Sequence, residues 1–431
     1  MTGPIHIRGG RLVDPSQNLD READLFIRDG RIAGIGTAPS GFEAQRTIDA
    51  AGRVVCPGLI DLQSRLREPG QEHKGTIASE TAAAAAGGIT TLCCPPDTDP
   101  VIDNPAVAEQ ILYRAGKAGN SRVLPLGALT SRLAGEHLAE MLALQESGCV
   151  AVTNASQPVH NTLVMRRALE YAATLGLTVF ISSEDPWLAG NGCLHEGQMS
   201  TRLGLPGIPE CAEVIGISRD LILVERTGVR AHFSRLSTAR AVEMVADARA
   251  RGLPVTCDVT AHQLFLTEMD VGVFDSLCHV RPPLRTFRDR DGLRAALADG
   301  VITAVCSDHQ PHDPDAKLAP FADTEPGISA LETLLPLLLR LADEKVLPRN
   351  KALARLTTGP AEVLGNGLGT LALDATADVC IFDPDAWWQV SEETLVSYGK
   401  NTPLLGWELK GRVTHTLLEG RVVFERNDSC Y

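Results

Sequence analysis

From residue 56 to residue 365 the chain alternates short apolar runs with longer amphipathic ones. The apolar runs have strand length: CPGLIDL, ITTLCCP, RVLPLGAL, CVAVTN, LTVFISS, VRAHFSR, LPVTCDV and VITAVCSD. Near-continuous apolar character of this kind suits strands buried on both faces of a parallel sheet. Helical patterns lie between most of them. TIASETAAAAA stops at Gly87-Gly88, and TLVMRRALEYAATLG and TARAVEMVADARARG each end in Gly and pass straight into a strand, as helices with glycine at the C-terminal cap do. Eight strands separated by helices predict an α/β fold, a (β/α)8 barrel over residues 56–365,. A doubly wound open sheet is the runner-up. It is disfavoured because no G-x-G-x-x-G follows the first strand,.

At both ends of the chain the period shortens to two. IHIRGGRLVD, DLFIRDGRIAGIG and RTIDAAGRVVCPG near the start, and LGTLALDATADVCIFD and WELKGRVTHTLLEGRVVFE near the end, read as short antiparallel strands with glycine turns,. DGRIAGI at 29–35 and EGRVVFE at 419–425 repeat one hairpin pattern. The two ends, 1–55 and 366–431, are therefore expected to pair into one small β-sandwich beside the barrel.

The net charge of −14 excludes a nucleic-acid binder that depends on a basic footprint, and a polybasic membrane anchor,. MTGPIHIRGG lacks the charged-then-apolar pattern of a signal peptide,. LETLLPLLLRLADE is the nearest approach to a membrane span, but it is short and broken by Pro336,. The 11 scattered cysteines, without a C-x-x-C pair, read as buried thiols in a reducing compartment, so a cytoplasmic location is expected,.

In such a barrel the chemistry lies at the carboxyl ends of the strands. Those ends are polar: Gln63-Ser64-Arg65-Leu66-Arg67, Thr153-Asn154-Ala155, Ser182-Ser183-Glu184-Asp185, His232-Phe233-Ser234-Arg235 and Ser307-Asp308-His309. They mark a cleft. Yet zinc needs His, Cys or carboxylate ligands converging on one point, and only Asp308, with His309 and His312 nearby, offers any.

PGLIDL, LREPGQEHKGTIASETAAAAAGGITT, PPDTDPVID, MRRALEYA, HEGQMSTRLGLPGIPECAEVIGISRD, RPPLR and SDHQPHD occur in one order along the chain. Through them the sequence resembles the dihydroorotases of the amidohydrolase superfamily over essentially its whole length. The resemblance implies two zinc ions held by four histidines, a bridging carboxylate and an aspartate. In this chain the first two histidine positions hold Gln63 and Arg65, and the bridging position holds Asn154. The third and fourth hold Ser182 and Arg235, and only the aspartate survives, as Asp308. Of the implied substrate contacts, the arginine of Leu-Arg-Glu-Pro-Gly is kept as Arg67, whereas two asparagines become Asp97 and Arg281.

Zinc lowers the pKa of bound water from about 15.7 to about 7, on the order of 10 kcal/mol of nucleophile activation. A lone general base supplies ~10²–10⁴-fold, so Asp308 does not replace it. The expectation is an inactive dihydroorotase homologue with no catalytic residue, no metal ligand set, no zinc and no other cofactor. Arg65 and Arg235 are expected to stand where metal charge stood and to pair with Asp308. Arg65, Arg67, Arg235 and Arg281 together form either an anion pocket for a dicarboxylate or a salt-bridged plug, and the plug is the preferred reading. His309 and His312 are expected to be structural. Glu184-Asp185 are expected to cap the segment after them, and Pro209 to open a helix.

Some bacterial members of the family are inactive and assemble with the catalytic chains of aspartate carbamoyltransferase. The resemblance therefore implies a structural subunit of that complex, dimerising within a mixed oligomer and binding neither nucleic acid nor membrane. The alternatives are a cyclic amidohydrolase with altered chemistry and a dicarboxylate-binding regulatory module.

Overall fold

The computed structural model describes residues 3–426. Its centre is an 8-stranded parallel sheet in chain order: Leu59–Asp61, Ile89–Cys94, Arg122–Ala128, Ala151–Thr153, Thr178–Ile181, Ala231–Phe233, Val255–Thr260 and Ala304–Cys306. The sheet curls until its first and last strands meet: Ser64 bridges His309 in parallel, and Arg65 N donates to His309 O at 2.9 Å. Helices such as Ile77–Ala86, Thr162–Thr174, Glu210–Thr227 and Ala239–Ala250 surround it. Thr76 and Thr238 cap two of them through their hydroxyls, which satisfies amide groups that the helix leaves without partners,. The LETLLPLLL run is the buried helix Leu334–Asp343, with Pro336 in its first turn, where a missing N–H breaks no bond,. Among the described residues no helix is long and apolar enough to cross a membrane. The ten described cysteines are free and only Cys211 is exposed; Cys430 lies outside the described residues.

The terminal strands form a second sheet. Its path runs Arg421–Glu425, Glu408–Leu418, Val379–Gln389, Val54–Pro57, Ile5–Asp14, Leu19–Arg28 and Arg31–Ile35, with Arg46–Asp49 also on Ile5–Asp14. It folds back on itself to make the sandwich, because Ile32 N donates to Ala375 O at 3.0 Å, just ahead of Val379–Gln389. Ile7, Leu12, Leu25, Ile32, Ile381 and Leu417 fill the interior. Both hairpins have two-residue turns in the left-handed region, Asp29 and Gly30 at φ 53° and 74°, Glu419 and Gly420 at φ 50° and 71°. Such turns match the right-handed twist of the strands. The two turns touch: a Cβ on Gly420 would lie 3.1 Å from Gly30 Cα.

Two boundaries differ from the sequence reading. CPGLIDL is not one strand. Gly58 divides it, so Cys56 pairs with Cys380 in the terminal sheet and the barrel starts at Leu59. The C-terminal part does not stay with the sheet either. Between Val379–Gln389 and Glu408–Leu418 the chain returns to the barrel, where Leu395 and Leu404 enter its core. Hydrophobic burial decides both cases, and it is invisible to strand periodicity.

Candidate functional site

The polar strand ends converge on Asp308, whose backbone is left-handed (φ 46°). Its Oδ1 accepts from Arg65 Nη1 at 3.1 Å and from Arg235 Nη1 at 3.4 Å; its Oδ2 accepts from Gln310 Nε2 at 3.1 Å. Arg65, Arg235 and Asp308 are all buried. Arg65 comes from the first strand end, Arg235 from the sixth and Asp308 from the eighth, so three elements distant in sequence carry one ion cluster. Arg65 Nε also donates to Asp97 at 2.7 Å. Ser156 joins the two arginines: its Oγ accepts from Arg65 Nη2 at 3.0 Å and Arg235 Nη2 at 3.1 Å. Ser182 Oγ accepts from Arg235 Nη2 at 2.7 Å. Among the described residues Arg235 Nε has no hydrogen-bond partner.

The electrostatics follow. Burial disfavours the charged Arg65, but Asp97 and Asp308 more than offset it and its pKa is raised. Burial also acts to raise Asp97, yet the charge of Arg65 and its hydrogen bond hold that carboxyl below its ordinary value,. Arg65 and Asp97 thus each favour the charged form of the other,.

The four arginines share the mouth but not their partners: Arg65, Arg67 and Arg281 line one cavity, and Arg235 lies inside it. Arg67 is turned elsewhere: Nε donates to Pro311 O at 2.9 Å, and Nη2 lies 3.0 Å from His312 Nε2. Burial and the nearby Arg65 lower the Arg67 pKa to about 10. Arg281 pairs with Glu184. These two arginines line a cavity of about 420 Å³ that also touches Arg65, Asp97, Glu184 and His312. The mouth thus divides into a closed inner cluster and an open, charge-compensated outer cavity.

The remaining positions are structural in geometry. Asn154 uses its whole amide: Oδ1 accepts from Thr130 Oγ1 at 2.6 Å, and Nδ2 donates to Leu133 O and Gln157 O at 3.1 and 2.8 Å. Gln63 is buried, and its carbonyl accepts from His309 N. His309 faces away from the cleft, 2.8 Å from Glu80 Oε2. His312 is held by burial and by Arg67 at a pKa of about 2. Asp185 caps Pro186–Ala189 through Leu188 N, but Glu184 does not cap; it is drawn off to Arg281. Pro209 is the cap of Glu210–Thr227.

Sequence reasoning missed three contributors. Ser156 lies two residues past the fourth strand's Asn154 and was passed over. His262, at the end of the seventh strand, is buried beside Thr260 with burial lowering its pKa to about 4. Below the cluster, Asp258 accepts from Arg235 N at 2.5 Å and lies 2.9 Å from His232. The polar run Thr260-Ala261-His262-Gln263 after an apolar strand was the available signal for that wall.

The zinc pair implied by the resemblance does not fit these residues. An ion at the centre would face two guanidinium groups, and the surroundings supply amides, hydroxyls, the His262 ring and two carboxylates, Asp308 and Asp97, that are already bonded to arginine,.

Comparison with known proteins gives three findings. The family described as "Dihydro-orotase-like" matches residues 52–241. The chain is 53% identical over 421 residues to the dihydroorotase-like protein of Pseudomonas aeruginosa, covering 98% of this chain and 99% of that one. It is 43% identical over 419 residues to a dihydroorotase of Geobacter sp. strain M21, covering 97% and 99%. Among solved structures, L-hydantoinase from Arthrobacter aurescens superposes with a TM-score of 0.87 at 24% identity, covering 100% of this chain and 98% of that one, which is a likeness of fold.

Proposed function

Since this chain belongs to the dihydroorotase-like family of amidohydrolases, we propose that it is a non-catalytic member, a structural subunit that assembles aspartate carbamoyltransferase for pyrimidine synthesis. The observation that supports this reading is the placement of Arg65 and Arg235 on Asp308. Hydrolysis of a cyclic amide needs an activated water. At the centre of the strand ends Asp308 is bonded to two arginines, and Asp97 and Glu184 beside it are each paired with an arginine; carboxylates held in this way are poor bases and poor metal ligands,. A fold kept intact around such a centre acts through its surface. In this reading the chain pairs with itself inside a mixed oligomer, in the cytoplasm, carries no zinc, and leaves the hydrolytic step to a separate enzyme.

Co-expression with the carbamoyltransferase chain of the same cell, followed by sizing, metal analysis and a dihydroorotate hydrolysis assay, tests it. The expected result is a stoichiometric, zinc-free, hydrolytically silent complex whose carbamoyltransferase activity falls when this chain is left out. A chain that purifies apart with about one zinc or more and turns over dihydroorotate overturns the reading.

A further inference from the structure

Beside the outer cavity a narrower recess opens at the ends of the fourth, fifth and sixth barrel strands. Its volume is about 30 Å³; it shares Ser156, Glu184 and Arg281 with the outer cavity, and its other walls include Ser182, Ser234 and Arg235. A void needs roughly 10–15 Å³ to hold one water, so the recess takes a body of about two or three waters in size. Its polar groups are unevenly matched. Ser234 Oγ and Arg235 Nε are buried, and among the described residues neither has a hydrogen-bond partner. The Ser156 hydroxyl accepts from Arg65 and Arg235, and the Ser182 hydroxyl accepts from Arg235, but neither passes its own proton to an acceptor among the described residues. Ser156, Ser182, Ser234 and Arg235 thus each keep a donor to spare. The carboxylates in the same walls are spent: Glu184 is paired with Arg281, and Glu213 accepts from Ser237 N at 2.9 Å and faces Arg285. Ser183 donates elsewhere, to Asp220 at 2.8 Å.

We infer that this recess binds a compact tetrahedral oxyanion of the phosphate class, held by the hydroxyls of Ser156, Ser182 and Ser234 and by Arg235 Nε. The surplus of donors selects an anion. A water molecule brings two protons of its own, which need acceptors that these walls have already spent; a phosphate oxygen brings only acceptor capacity. A buried donor left without an acceptor is costly, and more so on a charged group. The spare donors come from three different strand ends, which suits an ion with several oxygens better than a single-centred halide. Arg235 supplies positive charge that its own neighbours only partly balance, because it shares Asp308 with Arg65, and guanidinium-to-phosphate hydrogen bonds are among the strong ones. Ser182 and Arg235, places that the resemblance gives to zinc ligands, thereby serve an ion of opposite sign. Binding here needs no partner chain, so it is separable from the assembly role.

Titration of the full-length chain with inorganic phosphate, at constant pH and with chloride balancing the ionic strength, tests this. Calorimetry is expected to give one saturable site with a Kd on the order of 0.1–1 mM, and the thermal midpoint is expected to climb with the logarithm of phosphate concentration. The decisive variant is Ser234→Ala. The Ser234 hydroxyl bonds nothing among the described residues, so the phosphate-free midpoint is expected to stay at or above that of the parent, while phosphate binding weakens about tenfold. Ser182→Ala is expected to weaken it likewise. Unchanged phosphate affinity in Ser234→Ala overturns the inference. So does the absence of both heat and midpoint shift at ~20 mM phosphate, and so does a midpoint that rises as far when chloride alone is added.

Discussion

Asp308 and His309 are adjacent in the chain but belong to two different charge clusters. Asp308 faces the barrel mouth and accepts from Arg65 and Arg235 beneath a cavity of about 420 Å³. His309 faces the opposite way into a closed knot. Its Nε2 lies 2.8 Å from Glu80 Oε2, its Nδ1 accepts from Ala330 N at 3.1 Å, and both side chains are fully buried. Glu80 also accepts from Ser397 Oγ at 2.6 Å and Tyr398 N at 3.1 Å. Burial acts to raise the Glu80 pKa, but the hydrogen bond and charge of His309 hold it below its ordinary value. The knot welds the first barrel helix to the returning C-terminal segment, and every polar atom named has a partner. The mouth cluster leaves Arg235 Nε unpaired and shares one carboxylate between two arginines. Both are buried ion clusters. Only the knot has the hydrogen-bond closure expected of a structure kept for stability.

The largest effect is expected from breaking the knot. Glu80→Ala leaves His309 without its partner and Ser397 and Tyr398 without an acceptor; a loss of about 3–5 kcal/mol in chemical denaturation is expected. A loss below about 1 kcal/mol would erase the distinction from the mouth. Asp308→Ala comes next. It leaves two buried guanidinium groups facing each other, although Arg65 keeps Asp97, and a loss of about 3 kcal/mol is expected by the same measurement. An unchanged midpoint would show that the arginines do not depend on Asp308.

The paired replacement Arg235→Met with Asp308→Leu removes one cation and one anion and leaves Arg65 with Asp97. It is expected to fall within about 1 kcal/mol of the parent, since well-packed apolar residues often replace a buried ion pair without loss. The corresponding swap of Glu80 and His309 is expected to cost more, because it strands the amides around them.

A further test concerns pH. His312 is held at about 2, first by burial and then by Arg67, against about 6.5 in an unfolded chain. Its neutral form is favoured only in the folded state. The associated stability is therefore present above about pH 6.5 and is lost as pH falls below it, by about 1.4 kcal/mol per pH unit. His312→Asn is expected to flatten the fall in stability between pH 6.5 and 5 by that slope. An unaltered slope would assign the titration elsewhere.

The barrel was legible because its eight apolar runs are punctuated by glycine-capped helices, and the terminal sheet because Asp29-Gly30 and Glu419-Gly420 announce their turns. The place of Gln63, Arg65, Asn154, Ser182 and Arg235 was legible because each follows directly on an apolar run that forms a barrel strand. Partner choice was not. Arg67 and Arg281 differ from Arg65 and Arg235 only in what happens to lie within reach, the Pro311 carbonyl and Glu184 in place of Asp308. Ser156 acquires its place from two arginines 91 and 79 residues away in sequence. Such contacts are fixed by barrel closure, which local pattern does not encode.

The division of the terminal sheet bears on the order in which the chain can be built. Val54–Pro57 is translated before the barrel, yet its neighbour Val379–Gln389 only after it. Until then one edge of the N-terminal strands stays unsealed, and a nascent chain stalled inside the barrel exposes that edge to any other strand in reach. The strands translated after the barrel act as the latch that closes those made before it.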